Sequence, residues 1–223
     1  MIVKDLRERI AARLDPLDSW DPASEPPQSD FDLNPEFRPG DRPRLRDAAV
    51  LIPIVPREDG LSVVLTRRAD TLASHTGQIA FPGGRLDPGE DPVRAAVREA
   101  WEEIGLHPEK VEPLGLSNAY ETVTGYVVTP VVGLVAPDFV LSPSPAEVAE
   151  VFETPFAFLM DPANHRRESF ERDGQRRWFY AMPWGDRYIW GATAGMLRAL
   201  WNRLYGDGEE AIVISRAAMR NVT

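Results

Sequence analysis

Cysteine is absent from the 223-residue chain, which excludes disulfides and thiolate metal sites together. Long apolar runs are missing as well. The stretch from Ala48 to Val55 falls far short of the roughly 20 residues that span a bilayer. The opening residues, Met1 to Leu14, carry charges throughout and lack the apolar core of a secretory signal. Basic charge is also in deficit. With 25 Lys and Arg against 35 Asp and Glu, the formal net charge is -10. That argues against nucleic-acid binding, which depends on clustered cations neutralising phosphates. Together these absences lead us to expect a cytoplasmic protein with no membrane and no nucleic-acid partner. A small anionic substrate stays compatible, provided metal ions and a few local arginines reverse the field at one site.

What is present is an ordinary globular balance, 43% hydrophobic and 27% charged, in a length suited to one sizeable core. Residues 1–45 read as an appendage. Ile2, Leu6, Ile10 and Leu14 recur at helical spacing, and Asp15 to Asp41 is rich in Pro, Asp and Ser with no periodicity. Residues 46–223 read as the main domain. Ala48 to Pro56 and Leu61 to Arg67 are β-branched stretches around Arg57-Glu58-Asp59-Gly60, a hairpin signal. Further strands are expected at Gln78–Phe81, Lys110–Ser117, Tyr126–Val135 and Glu147–Glu153, the last entering a short helix over Pro155–Met160. A hairpin over Arg172–Tyr180 and a helix over Ala192–Tyr205 complete the pattern, which is that of an α/β or α+β sandwich.

The segment Gly83 to Leu106, GGRLDPGEDPVRAAVREAWEEIGL, carries the chemistry. Asp91 can cap a helix whose first position is Pro92, and Gly105 can end it in the left-handed conformation. Val93, Val97, Ala100 and Ile104 form the expected buried stripe, while Glu99, Glu102 and Glu103 share a face expected to be exposed. Like charges at that spacing repel, so stability alone would not select them. Converging hard oxygen donors are what Mg²⁺ or Mn²⁺ require. The plain alternative is an amphipathic helix with an acidic outer face. Glu90, at the junction of loop and helix, can brace the loop or join a metal site.

The whole spacing distinguishes the two. Gly84, five residues, Glu90, seven residues, Arg98-Glu99, Ala100, one residue, Glu102-Glu103, one residue, Gly105 and Leu106 resemble the Nudix box at every defined position. The resemblance implies a Nudix fold, an α/β/α sandwich with a mixed β-sheet, and metal-dependent hydrolysis of a nucleoside diphosphate linked to a further group. It implies that Glu99, Glu102 and Glu103 bind Mg²⁺ or Mn²⁺, that Arg98 orients a glutamate of the cluster, and that Gly84 shapes the loop. The general base would be Glu99 or a glutamate outside the box, with Glu147 and Glu150 as candidates. A homodimer stays open.

A narrower resemblance lies upstream. Leu65-Thr66, Arg68-Ala69, Gly77 and Phe81-Pro82-Gly83-Gly84 are similar to the extra signature of the coenzyme A pyrophosphatase branch, and the segments TVTGYVVTPVVGLV and AEVAEVFETPF agree with it in order and spacing. This implies cleavage of coenzyme A or acyl-coenzyme A to 3′,5′-ADP and 4′-phosphopantetheine or its acyl form. One departure stands out, because Ala73 occupies the place of an arginine, and His75 nearby supplies no permanent charge. Arg67, Arg68 and Arg85, with Gly83 and Gly84, are the candidate substrate contacts, and each arginine could equally be a surface ion-pair partner. Phe81, Tyr120 and Tyr126 could meet the pantetheine arm, but aromatic residues there, like Trp178, Trp184 and Trp190, are core candidates first. Ala73 keeps open a different Nudix substrate, such as ADP-ribose, a dinucleoside polyphosphate or an oxidised nucleotide. A non-catalytic nucleotide-binding module is a third reading, against which the complete set of box carboxylates speaks.

Overall fold

The computed structural model describes residues 2–40, 45–69 and 77–206. Ala73 and His75 lie outside them. Strands β2 (Arg46–Arg57) and β3 (Gly60–Arg68) form the expected hairpin, with Arg57 opposite Gly60. The sheet is mixed, since β2 also runs parallel to the later strand β8 (Tyr126–Val135), from Arg46 opposite Tyr126 to Ile54 opposite Leu134. Short strands β4 (Ile79–Ala80) and β5 (Gly83–Arg85) pair with β3 and β2 respectively. Strand β6 (Val111–Leu116) borders β8, as does the two-residue β7 (Tyr120–Glu121), and β9 (Val148–Pro155) borders β3. The remaining edge is β1 (Gln28–Ser29), parallel to β7.

Strand alternation divides the core into two layers. On one face Ala49, Leu51, Val55, Val64 and Val131 pack against helix α2 (Pro92–Ile104) through Ala95, Ala96, Ala100 and Ile104. On the other, Ile52, Ile54, Leu65 and Val132 meet helix α4 (Ala192–Tyr205) through Leu197 and Leu200. The result is the expected α/β/α sandwich. Short helix α3 (Phe156–Leu159) follows β9 directly and buries Phe156 and Leu159 in the second layer.

Three details differ from the sequence expectation. The buried stripe of α2 is rotated, with Ala95 and Ala96 inside and Val93 and Val97 only partly covered. Alanines on that face leave little side chain between helix and sheet, and the bulkier valines take the flanks. The C-terminal hairpin is longer than expected, with β10 (Arg166–Arg172) and β11 (Gln175–Trp184), and gains a third strand, β12 (Arg187–Trp190). Strand β10 reads RRESFER, whose charges conceal its period. Trp178, Trp184 and Trp190 are half-buried there rather than central.

The N-terminal segment is docked along the domain. Helix α1 (Ile2–Ala11) is followed by Leu14, which with Ile10 joins the second layer. The Asn34 side chain bonds the Trp178 backbone twice, accepting from its N–H at 2.7 Å and donating to its carbonyl at 2.8 Å. Asp30 accepts from Tyr120 Oη at 3.0 Å and from the Val123 N–H at 2.8 Å. Burial raises the pKa of Asp30 despite those two bonds.

Candidate active site

Helix α2 is set by its ends. Asp91 accepts the Arg94 N–H at 2.9 Å, Pro92 opens the helix, and Gly105 closes it in the left-handed region at φ 69°. Between the caps the box glutamates face the loop that carries β5. Gly84 is packed so closely on Glu99 that a β-carbon there would lie 2.5 Å from Glu99 Cδ. Gly83 presents its N–H to Glu103 Oε2 at 3.2 Å. At Gly84 the backbone makes a close approach to Glu99 that a side chain would forbid, whereas a side chain at Gly83 would meet the β2 backbone at Ala49 and Val50.

Arg98 holds the other end of the cluster. Its Nε and Nη2 donate to the two oxygens of Glu90 at 3.0 and 2.9 Å, and Nη1 donates to Glu99 at 2.9 Å and Glu102 at 3.1 Å. Nη2 also donates to the Arg85 carbonyl at 3.1 Å. Glu90 in turn accepts the Asp87 N–H at 3.0 Å. Glu90 is therefore a brace of the loop, and bonding to Arg98 lowers its pKa.

Glu103 corrects an expectation. Its residue is only 7% exposed, not on an open face, because β5 covers it as the helix turns toward the sheet. Burial pushes its carboxyl up to about 7, helped by the charges of Glu99 and Glu147 and opposed by the Gly83 N–H and by Arg68. Burial also raises Glu99, with Arg98 opposing and Glu102 and Glu147 assisting. Glu147 thus lies within electrostatic reach of both. Its backbone ties the region together, since its carbonyl accepts from Ala69, its N–H donates to the Ser144 carbonyl, and Ser144 N–H donates in turn to the Glu103 carbonyl.

Glu150 is not brought to this cluster. It shares a strand face with Phe152, which packs in the α4 layer, and its carboxylate pairs with Arg187 and lies 3.6 Å from Arg67. Strand alternation thus places Glu150 and Arg67 on the sheet face away from α2, and Arg67 in an ion pair. Arg187 also lies 4.4 Å over the Phe152 ring. No local sequence signal announced that partner. Arg68 differs from Arg67. Its Nε is buried without a hydrogen-bond partner, and it acts electrostatically on Glu103. Arg85 is exposed and lies 5.9 Å from the Tyr126 ring. Phe81 and Tyr120 are core residues, 3% and 6% exposed.

Among the described residues no three acidic side chains stand together as a finished ion cage, since Arg98 engages Glu99 and Glu102. The donor set nonetheless suits a hard dication. Carboxylates that raise one another's pKa, one of them buried, are charges in want of a counterion.

The NUDIX domain model matches residues 45–174, which contain every one of these side chains up to Glu150. The chain belongs to the Nudix family. A protein of Escherichia coli O7:K1, named as an uncharacterized Nudix hydrolase NudL, is 45% identical over 160 residues, covering 70% of this chain and 81% of that one. The Cronobacter sakazakii protein of the same name is 42% identical over 157 residues with the same coverage. Among solved structures, a MutT/nudix family protein from Enterococcus faecalis is similar at 18% identity and TM-score 0.46, covering 77% of this chain and 66% of that one. Membership makes this chain a Nudix hydrolase, of a family that acts on diphosphate bonds of small nucleotide substrates and generally uses divalent metal ions. Among the described residues no helix is long and apolar enough to cross a membrane.

Proposed function

We propose that this Nudix hydrolase cleaves the diphosphate of coenzyme A or acyl-coenzyme A, releasing 3′,5′-ADP and 4′-phosphopantetheine or its acyl form. The observation that carries the catalytic part is the buried Glu103 beside Glu99, pressed against Gly83 and Gly84. Mg²⁺ or Mn²⁺ held by Glu99, Glu102 and Glu103 would neutralise the diphosphate and make a water easier to deprotonate. The chain's own groups do the rest. Arg98 positions Glu99 and Glu102, and its grip on Glu90 fixes the loop. The Gly83-Gly84 backbone lies directly against Glu103 and Glu99 and so fixes the position of those carboxylates. Arg68, whose Nε has no hydrogen-bond partner, supplies a cation for a phosphate oxygen near Glu103.

In the reaction a water oxygen forms a bond to one phosphorus and the bridging P–O bond breaks. The water proton passes to a carboxylate, for which Glu147 is favoured over Glu150 because it acts on both Glu99 and Glu103. Support for the coenzyme A substrate comes from the match of Leu65-Thr66, Arg68-Ala69, Gly77 and Phe81 to Gly84 to that branch's signature. The test is product analysis after incubation with coenzyme A and Mg²⁺ or Mn²⁺, with EDTA as control. Metal-dependent 3′,5′-ADP is the expected product. Cleavage of ADP-ribose but not of coenzyme A would reassign the substrate, and no cleavage of any nucleoside diphosphate would overturn the enzymatic reading.

A further inference from the structure

On the sheet face opposite the carboxylates, two arginines share one aromatic ring. Arg46 lies opposite Tyr126 in the β2–β8 ladder, and Arg85 lies opposite Ala48, two residues along the same strand. Alternation therefore directs all three side chains to one face. The Arg46 guanidinium sits 4.0 Å from the Tyr126 ring centroid and that of Arg85 5.9 Å. Among the described residues the Arg46 guanidinium donates to the Thr124 carbonyl at 3.2 Å. Among the described residues neither arginine has a carboxylate partner, although the chain carries 35 acidic residues. The nearest acids in sequence, Asp47 and Asp87, line the same cleft but pair with neither arginine among the described residues, and Asp87 lies 3.8 Å from Arg98.

Two guanidiniums gathered on one ring, neither paired with a carboxylate among the described residues, keep donors to spare in a protein of net charge -10. Both arginines border a cleft of about 540 Å³ that Asp47 also lines and whose far wall is Trp20, Leu86 and the loop from Asp87 to Glu90. The loop that precedes α2 forms part of the cleft wall, and the Arg85 carbonyl there accepts from Arg98. We propose that Arg46 and Arg85, seated on Tyr126, bind a phosphate monoester that the substrate carries outside its diphosphate. This rests on the nucleotide-diphosphate reading above and extends it to specificity. A monoester is close to a dianion at neutral pH and offers three acceptor oxygens to paired guanidinium forks. In coenzyme A that group is the ribose 3′-phosphate.

Binding of adenosine 3′,5′-bisphosphate and of adenosine 5′-monophosphate, measured by calorimetry with Mg²⁺ on the parent and on Arg46→Ala, tests the proposal. The parent should bind the bisphosphate at least about tenfold more tightly, the scale of one charge-assisted contact. Arg46→Ala should reduce that ratio to about twofold or less while its melting temperature stays at the parent value, and Arg46→Lys should restore part of it. Equal affinity for both nucleotides in the parent overturns the proposal, and so does an undiminished ratio in Arg46→Ala. A parent that discriminates between the nucleotides yet fails to cleave coenzyme A would refute the substrate reading and leave this one standing.

Discussion

Replacing Glu103 with glutamine should stabilise the metal-free protein, by an amount that grows with pH. Glutamine keeps the shape of the side chain and can still accept the Gly83 N–H, so the variant removes the charge and little else. The carboxyl titrates near 4.5 in the unfolded chain and is pushed up to about 7 in the fold. Below pH 4.5 it is protonated in both states and costs nothing. Between 4.5 and 7 the unfolded chain releases the proton while the fold retains it, so stability falls across that window and is constant above it. At about 1.4 kcal/mol per pKa unit, the charge costs about 1 kcal/mol at pH 5 and about 3 kcal/mol at pH 8. For a domain of this size each kcal/mol moves the melting temperature by about 2–4 °C. Thermal unfolding in EDTA should therefore show Glu103→Gln melting about 5–10 °C above the parent at pH 8, with a much smaller gain at pH 5. A variant less stable than the parent at pH 8, or a gain that does not change with pH, would refute the reasoning.

Other consequences follow from individual contacts. Gly84→Ala places a methyl 2.5 Å from Glu99 Cδ, so turnover should fall at least about tenfold as that carboxylate is displaced; steady-state kinetics at saturating metal would show it. Glu147→Gln should lower kcat by about tenfold or more if this residue takes the water proton, whereas Glu150→Gln should stay within about threefold of the parent; a pH–rate profile of both variants separates the roles. Asn34→Ala removes two bonds to the Trp178 backbone and should cost about 2 kcal/mol in urea unfolding, marking the N-terminal segment as part of the cooperative unit.

Much of this molecule is legible in its sequence, for reasons that differ by element. The β2–β3 hairpin and α2 show clearly because their signals are local, a β-branched alternation in one and an Asp-Pro start with a Gly stop in the other. The box glutamates are equally plain, since their spacing is the message. What the pattern could not supply is depth. Glu103 sits three residues from Ala100 and one from Ile104, and only the path of β5 decides that it is covered rather than open. Glu147 and Glu150 look equivalent as letters, yet Glu147, just before β9, acts on Glu99 and Glu103, while Glu150 lies in phase with Phe152 and pairs with Arg187. Strand β10 and the pairing of Asn34 with Trp178 are tertiary facts, carried by partners more than a hundred residues apart or by a strand too charged to show its period.

The central claim is that Glu99 and Glu103 form the site of a catalytic dication, and titration with Mn²⁺ followed by the electron paramagnetic resonance signal of the free ion tests it most directly. The account predicts saturable binding to the parent, affinity reduced at least about tenfold in Glu99→Gln and in Glu103→Gln, and little change in Glu150→Gln. Equal Mn²⁺ affinity in all four proteins would contradict it.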